Sequence, residues 1–213
     1  MAQLLYKNEH LSCPNYETGR HPVIEVRQIF EGGVFHVRSQ TNKLVFVLEG
    51  RGEYSTGSEF LYPAIRGHIL FSVPERHLSI RTSEDTELLV IRLHGKINLC
   101  DCFDLEELNR VRDDIPMDSF EEMETRPFFL EMNTVMEKYV EMLLLCYKKG
   151  LRCRYYNEGK IRELMYIFRA FYPKEDLYRF FEPALASDSK FAQQVMRNYN
   201  DYGNLLEIAT AMN

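Results

Sequence analysis

Nowhere in the 213 residues is there a run of about 18 apolar side chains, the length a helix needs to cross a bilayer, so no membrane-spanning helix is expected. The opening stretch MAQLLYKNEHLSCPNYETGRHP lacks a basic start followed by a long apolar block and does not read as a signal peptide. Cysteine is sparse. Cys13, Cys100, Cys102, Cys146 and Cys153 form an odd set without C-x-x-C spacing, which favours a reducing cytoplasm over a disulfide framework or a zinc site. Around Cys100 and Cys102, Asp101 and Asp104 would raise a thiol pKa, so inert thiols are expected there. No G-x-S-x-G and no glycine-rich phosphate loop occurs, and the glycines of GRGEYSTG (50–57) read as hairpin turns. An excess of positive charge is missing too. Residues 1–100 hold 11 Lys+Arg and 11 Asp+Glu, while residues 101–213 hold 15 and 21, so the net charge of −6 falls entirely in the second half. A surface that wraps DNA displaces counterions with basic side chains, and this chain does not supply one in bulk.

What the sequence does contain is an ordinary globular share of apolar residues, 45%, enough for a substantial core. The first half reads as β. Eight short segments rich in Val, Ile, Leu and Phe lie at 23–30, 34–39, 43–50, 52–56, 59–63, 68–74, 77–82 and 87–95, with Gly, Pro, Asn or Ser between them. So many short strands with tight connections suggest a closed barrel or jelly roll, which removes exposed edges. LVFVL and LLVIRL are apolar at every position, so one face of those strands should line the barrel and the other should pack on something outside it.

The second half reads as α, which makes the expected class α+β: a β-barrel over 1–100 and a helical region over 101–186. An acidic connector (101–127) leads to a helix over 128–150, with Met132, Val135, Met136, Tyr139 and Leu143 on one stripe and Gly150 ending it. That stripe suits a core or a dimer interface, and it is the expected dimerisation face. Further helices are expected over 158–173, 174–185 and 187–199, and the closing NLLEIATAMN places Leu205, Ile208, Ala209 and Met212 on one helical face.

Histidines on a β-barrel raise the question of a metal. Side chains at i and i+2 share a strand face, so a metal-binding strand should carry His-x-His; here the best approximation is His36 and Arg38, with His77 further on. A guanidinium cannot coordinate a cation and repels it. No metal, no cofactor and no catalytic residue is therefore expected, and the chain does not read as an enzyme. Two readings of that strand face stay open. It is a partly solvated polar face, or it points inward and His36 and Arg38 meet a carboxylate, phosphate or polyol. On the second reading Glu53, Tyr62, His77 and Arg92 join the ligand-binding lining.

LVFVLEGRGEYSTG and IRGHILFSVPERHLSI together resemble the cupin-like effector domain of AraC/XylS-type transcription regulators, where a strand ends in L-x-G and a Gly-led strand later reaches a Pro near a His, which implies a cupin-like barrel over 1–100. YYNEGKIRELMYIFRAFYPKEDLYRFFEPAL resembles the helical linker of Bacteroidetes-type members, and SKFAQQVMRNYNDYGNLLEIATAMN resembles the opening of the family's DNA-binding domain. The resemblance implies a cytoplasmic regulator whose barrel binds a small-molecule effector, a sugar or an organic acid, and whose linker helices form homodimers. It also implies that residues 187–213 begin a helix-turn-helix domain, with Leu205, Ile208, Ala209 and Met212 in its core. The family's pattern continues into a recognition helix and a second helix-turn-helix unit that are not among these residues. The expectation is a truncated regulator, with DNA bound only by the full-length protein. A metal-dependent cupin enzyme and a plain protein-interaction module are the alternatives.

Overall fold

β-Branched and aromatic side chains recur at short intervals through the first half of the chain, and glycines turn it between them; strands result. The computed structural model describes residues 14–17, 23–37, 41–57, 60–74, 77–95, 97–100, 103–108 and 129–185. Arg38, the greater part of the acidic connector, and the closing segment with Leu205, Ile208, Ala209 and Met212 lie outside the described residues.

All eight expected strands occur: β1 Ile24–Ile29, β2 Val34–Val37, β3 Asn42–Glu49, β4 Arg51–Ser55, β5 Tyr62–Ile65, β6 His68–Ser72, β7 Leu78–Thr82 and β8 Thr86–Leu93. Short strands β9 Asn98–Cys100, β10 Phe103–Asp104 and β11 Leu130–Glu131 follow. Two antiparallel sheets face each other. One has the order β1-β8-β3-β6-β11, the other β2-β7-β4-β5. Among β1 to β8 the chain changes sheet at every connection except β4 to β5, which is the winding of a cupin-like double-stranded barrel. The fold is α+β, as expected.

One strand departs from its expected bounds, and one turn glycine is held in place by its surroundings. The strand expected over 59–63 runs instead from Tyr62 to Ile65 and contains Pro63; β5 lies at an edge of its sheet, where a missing N–H donor is tolerated. Gly50, between β3 and β4, has φ 82°, and a Cβ there would lie 2.5 Å from the Asp85 carbonyl oxygen, so both the backbone angle and the space demand glycine.

The middle of the five-stranded sheet is apolar on both faces, and each face has its own partner. Val45, Val47, Leu70, Leu88 and Val90 point between the sheets and meet Val37, Tyr54, Ala64, Leu78 and Ile80. On the opposite face Leu44, Phe46, Ile69, Phe71, Leu89 and Ile91 meet the helices. These are α1 Thr134–Lys148, α2 Arg154–Phe171 and α3, residues 174–185. Rings make the joint. Phe71 of β6 lies 5.1 Å from Phe181 and 5.6 Å from Phe180 between centroids, and Phe168 of α2 lies 5.9 Å from each of those two. Each such ring pair contributes about 0.5–1.5 kcal/mol beyond its area burial.

The first helix begins at Thr134 rather than at 128, because Leu130 and Glu131 are drawn into β11 against Ile69 and His68 of β6. Asn133 caps it, its side-chain oxygen accepting from the Met136 N–H at 3.0 Å. The stripe expected to dimerise is corrected here. Met136, Tyr139 and Leu143 are buried in the chain's own core, and the Tyr139 hydroxyl donates to the Lys160 carbonyl of α2 at 2.7 Å. Met132 packs half-buried at the same core, and only Val135 of the five is exposed. The sheet's outer face and α2 needed an apolar partner, and this stripe supplies it within one chain.

Candidate functional site

Strand alternation decides which side chains enter the barrel. In β2, Phe35 and Val37 pack between the sheets, so His36 lies opposite Ser79 on the outer face and is exposed. In β4, Gly52 and Tyr54 point inward, so Glu53 points out and is exposed, as is His77 just before β7. His36, Glu53 and His77 are thus corrected from lining to surface, because apolar neighbours on each strand claim the interior. Glu53 borders a shallow hollow of about 460 Å³ on the outside of the four-stranded sheet, shared with Arg51, Pro63, Ile65 and Arg81.

Tyr62 and Arg92 do face inward. The Tyr62 ring sits 5.7 Å from that of Tyr54, and burial, helped by Tyr62, pushes the Tyr54 hydroxyl well above the ordinary phenol range. Arg92 continues the inward face of Leu88 and Val90 on β8 and is only 7% exposed. Its Nη2 donates to Glu25 Oε2 of the adjacent strand β1 at 2.6 Å, and the other oxygen of Glu25 holds Arg27.

Lys43 was not among the expected lining, nor were Glu25 and Ser72. The register of β3 sets Lys43 opposite Arg92 on one side and opposite Ser72 on the other. Lys43 continues the inward face of Val45 and Val47, and it is 4% exposed. One end of the barrel interior is therefore closed by a polar row across four neighbouring strands: Glu25, Arg92, Lys43 and Ser72, all buried. Burial first, and the Arg92 charge second, pull the Lys43 ammonium down to about 8, with Glu25 acting against them. The signal was present in the sequence. A lysine or arginine that keeps step with Val45-x-Val47 or Leu88-x-Val90 must share their inward face.

At the opposite end of β6, His68 is buried and stacked on Phe129 at 4.0 Å between ring centroids. Burial holds its pKa below the usual histidine value, against a hydrogen bond to the Pro63 carbonyl and the charge of Glu131. Among the described residues no three His, Cys, Asp or Glu side chains gather as metal ligands would.

No family model matches the chain, and no curated protein matches it. Similar solved structures include a Klebsiella pneumoniae protein with a double-stranded β-helix domain, 20% identical over 34% of this chain and 66% of that one, with a TM-score of 0.31. A cupin superfamily protein from Desulfitobacterium hafniense is 14% identical over 34% of this chain and 66% of its own, with a TM-score of 0.31. An RmlC-like cupin from Desulfovibrio desulfuricans is 20% identical over 35% and 74%, with a TM-score of 0.30. Each likeness spans only about a third of this chain.

Proposed function

We propose that this chain is the ligand-sensing and dimerising portion of a DNA-binding transcription regulator of the AraC/XylS type. The observation that carries the reading is the two-faced sheet. β3, β6 and β8 present one face to the polar row and interior of the barrel, and the other to the helices through Phe46, Ile69, Phe71, Leu89 and Ile91. A small molecule seated inside the barrel pushes on strands that are themselves the floor of the helical layer. Packed cores shift between discrete arrangements, so occupancy biases how the helices are presented, a two-state coupling. The sequence resemblance assigns the output, and fold alone would not.

Association of two copies, on this reading, uses the outward face of α1, where Val135, Met142 and Leu145 are exposed. The 213 residues carry the pattern of a support helix and no basic recognition helix, so the reading gives this chain sensing and association but not base recognition.

Thermal melting against sugars, short acids and bile-type compounds at millimolar concentration tests the sensor. A ligand that binds only the folded state must raise the melting temperature. A rise that also changes the sedimentation coefficient of the chain supports coupling. Failure of every compound class to raise it moves the chain to the class of plain interaction modules.

A further inference from the structure

His68 opens β6 at the end away from Ser72, and it is only 4% exposed. Its ring lies 4.0 Å from that of Phe129, at 19° to it. Phe129 itself packs against the core between the sheets, and the two residues after it form β11. The stack therefore pins the start of β11, whose own strand pairing reaches only Ile69 and His68.

That short strand ties three parts of the chain together. On the barrel side, the Met132 N–H donates to the Gly67 carbonyl at 2.7 Å. The Tyr172 hydroxyl, at the end of α2, donates to the Glu131 carbonyl at 2.9 Å and accepts from the Asn133 N–H at 3.4 Å. Asn133 caps α1, and its Nδ2 donates to the Phe171 carbonyl at 3.3 Å. Barrel, first helix and second helix meet across residues 129–133.

His68 fits this joint as a neutral ring. One ring N–H donates to the Pro63 carbonyl, and Nδ1 is buried with no hydrogen-bond partner, so Nε2 is the donor and Nδ1 carries the bare lone pair. A proton taken up there from solvent makes a second N–H with no acceptor, on a cation held out of water. Contact of that cation with the Phe129 face offsets only part of the cost. The groups around the ring offset little more. Glu131, opposite on β11, is exposed, so solvent screens its charge. β5 presents the Pro63 carbonyl, and β3 adjoins through Val47, whose carbonyl accepts from the Gly67 N–H. At the same end, Arg66 and Glu49 pair with each other at 3.6 Å. Burial pushes the Tyr172 hydroxyl up to about 12, so it stays protonated in acid.

We propose that His68 is an acid-operated latch: protonation of Nδ1 ejects the ring from its stack on Phe129 and releases β11 from β6, so that the start of α1 and the end of α2 come away from the barrel edge. The latch works with or without a ligand in the barrel and stands apart from the sensor reading. With β11 in place, burial keeps the histidine below its ordinary 6.5; with β11 released, the ring reaches water and returns towards that value. The open form therefore binds the proton first. Opening is level above about pH 6.5 and grows by up to about tenfold per pH unit below it, until the closed form titrates as well.

Amide hydrogen exchange followed by NMR on the whole chain, from pH 7.5 to pH 4.5 and corrected for the intrinsic rate at each pH, tests the latch. Expected is a fall in protection of the Met132 amide by about fivefold or more across that range. Met132 should also stay at least about tenfold less protected than Val45 in the sheet centre, because β11 opens without the sheet. His68→Phe keeps a ring for the stack and takes up no proton, so it should remove the fall, whereas Glu131→Gln should keep it. A pH-independent Met132, the same fall in folded His68→Phe, loss of the fall in Glu131→Gln, or a Met132 as protected as Val45 overturns the proposal. If His68→Phe does not fold, the NMR titration of the His68 ring in the parent decides. A midpoint below 6.5, with Met132 protection levelling off beneath it, supports the latch, and any other result overturns it.

Discussion

Arg92 and Glu25 meet at 2.6 Å inside the barrel, on the neighbouring strands β8 and β1, each with a side chain only 9% exposed. A buried pair of this kind is weak evidence of net stabilisation, but removing one member leaves the other charge without its partner. Glu25→Gln should therefore destabilise the chain by about 3 kcal/mol, and the double variant Glu25→Gln with Arg92→Met should recover part of that loss. Urea melts of the two single variants and the double variant measure the coupling. A loss under about 0.5 kcal/mol for Glu25→Gln would mean that the pair is not held as described.

Lys43 predicts a pH dependence of stability with a definite sign. Its folded-state value of about 8 lies below the ordinary 10.5. Between those values the unfolded chain binds the proton and the folded chain does not, so stability contributed through Lys43 rises with pH across that window. Below about pH 8 both states are protonated and the full cost of burying the charge is present. Relative to Lys43→Met, the parent chain should gain stability from pH 8 to pH 10. Paired denaturant melts at pH 7, 8.5 and 10 read the difference, and a difference that stays flat would contradict it.

The ring cluster joining barrel and helices should behave as core. Phe168→Ala removes a fully buried ring that touches Phe180, Phe181 and Tyr172, and should cost about 3–5 kcal/mol. Because the cluster spans both layers, barrel and helices should melt in one transition in the parent chain. Far-ultraviolet circular dichroism, weighted to helix, and tyrosine fluorescence should give coincident curves. Separate curves would show that the layers are energetically independent.

His36→Ala and Glu53→Ala should change stability by no more than about 0.5 kcal/mol, since both side chains are exposed on the outer sheet face. Neither should alter binding of a small ligand inside the barrel. A large loss of binding in either variant would restore the inward reading of that face.

Much of the fold was legible because it rests on short-range patterning. Eight strands, the α layer after them and the apolar double-faced segments LVFVL and LLVIRL follow from periodicity and turn residues. The lining was harder. His36 attracts notice as a chemically versatile side chain, yet Phe35 and Val37 on either side already own the interior. Lys43 draws none, since lysines usually sit in water, and only its step with Val45 and Val47 betrays its direction. The pairing of Lys43 with both Arg92 and Ser72 depends on which strands become neighbours. That is a property of the whole topology, and no window of sequence contains it. The α1 stripe shows the same limit: its period announces a buried face but not which surface buries it.

β11 is only two residues long, but it changes what can be cut from this protein. Leu130 and Glu131 pair with Ile69 and His68 at one end of β6, and the chain then turns directly into α1. A fragment stopping at residue 100 would bare a strand edge and an apolar plane carrying Phe46, Ile69, Phe71, Leu89 and Ile91. Open edges of that kind recruit other chains. Dissection at the visible change from strands to helices is thus expected to give an aggregating fragment, and any minimal folded unit has to keep the helices.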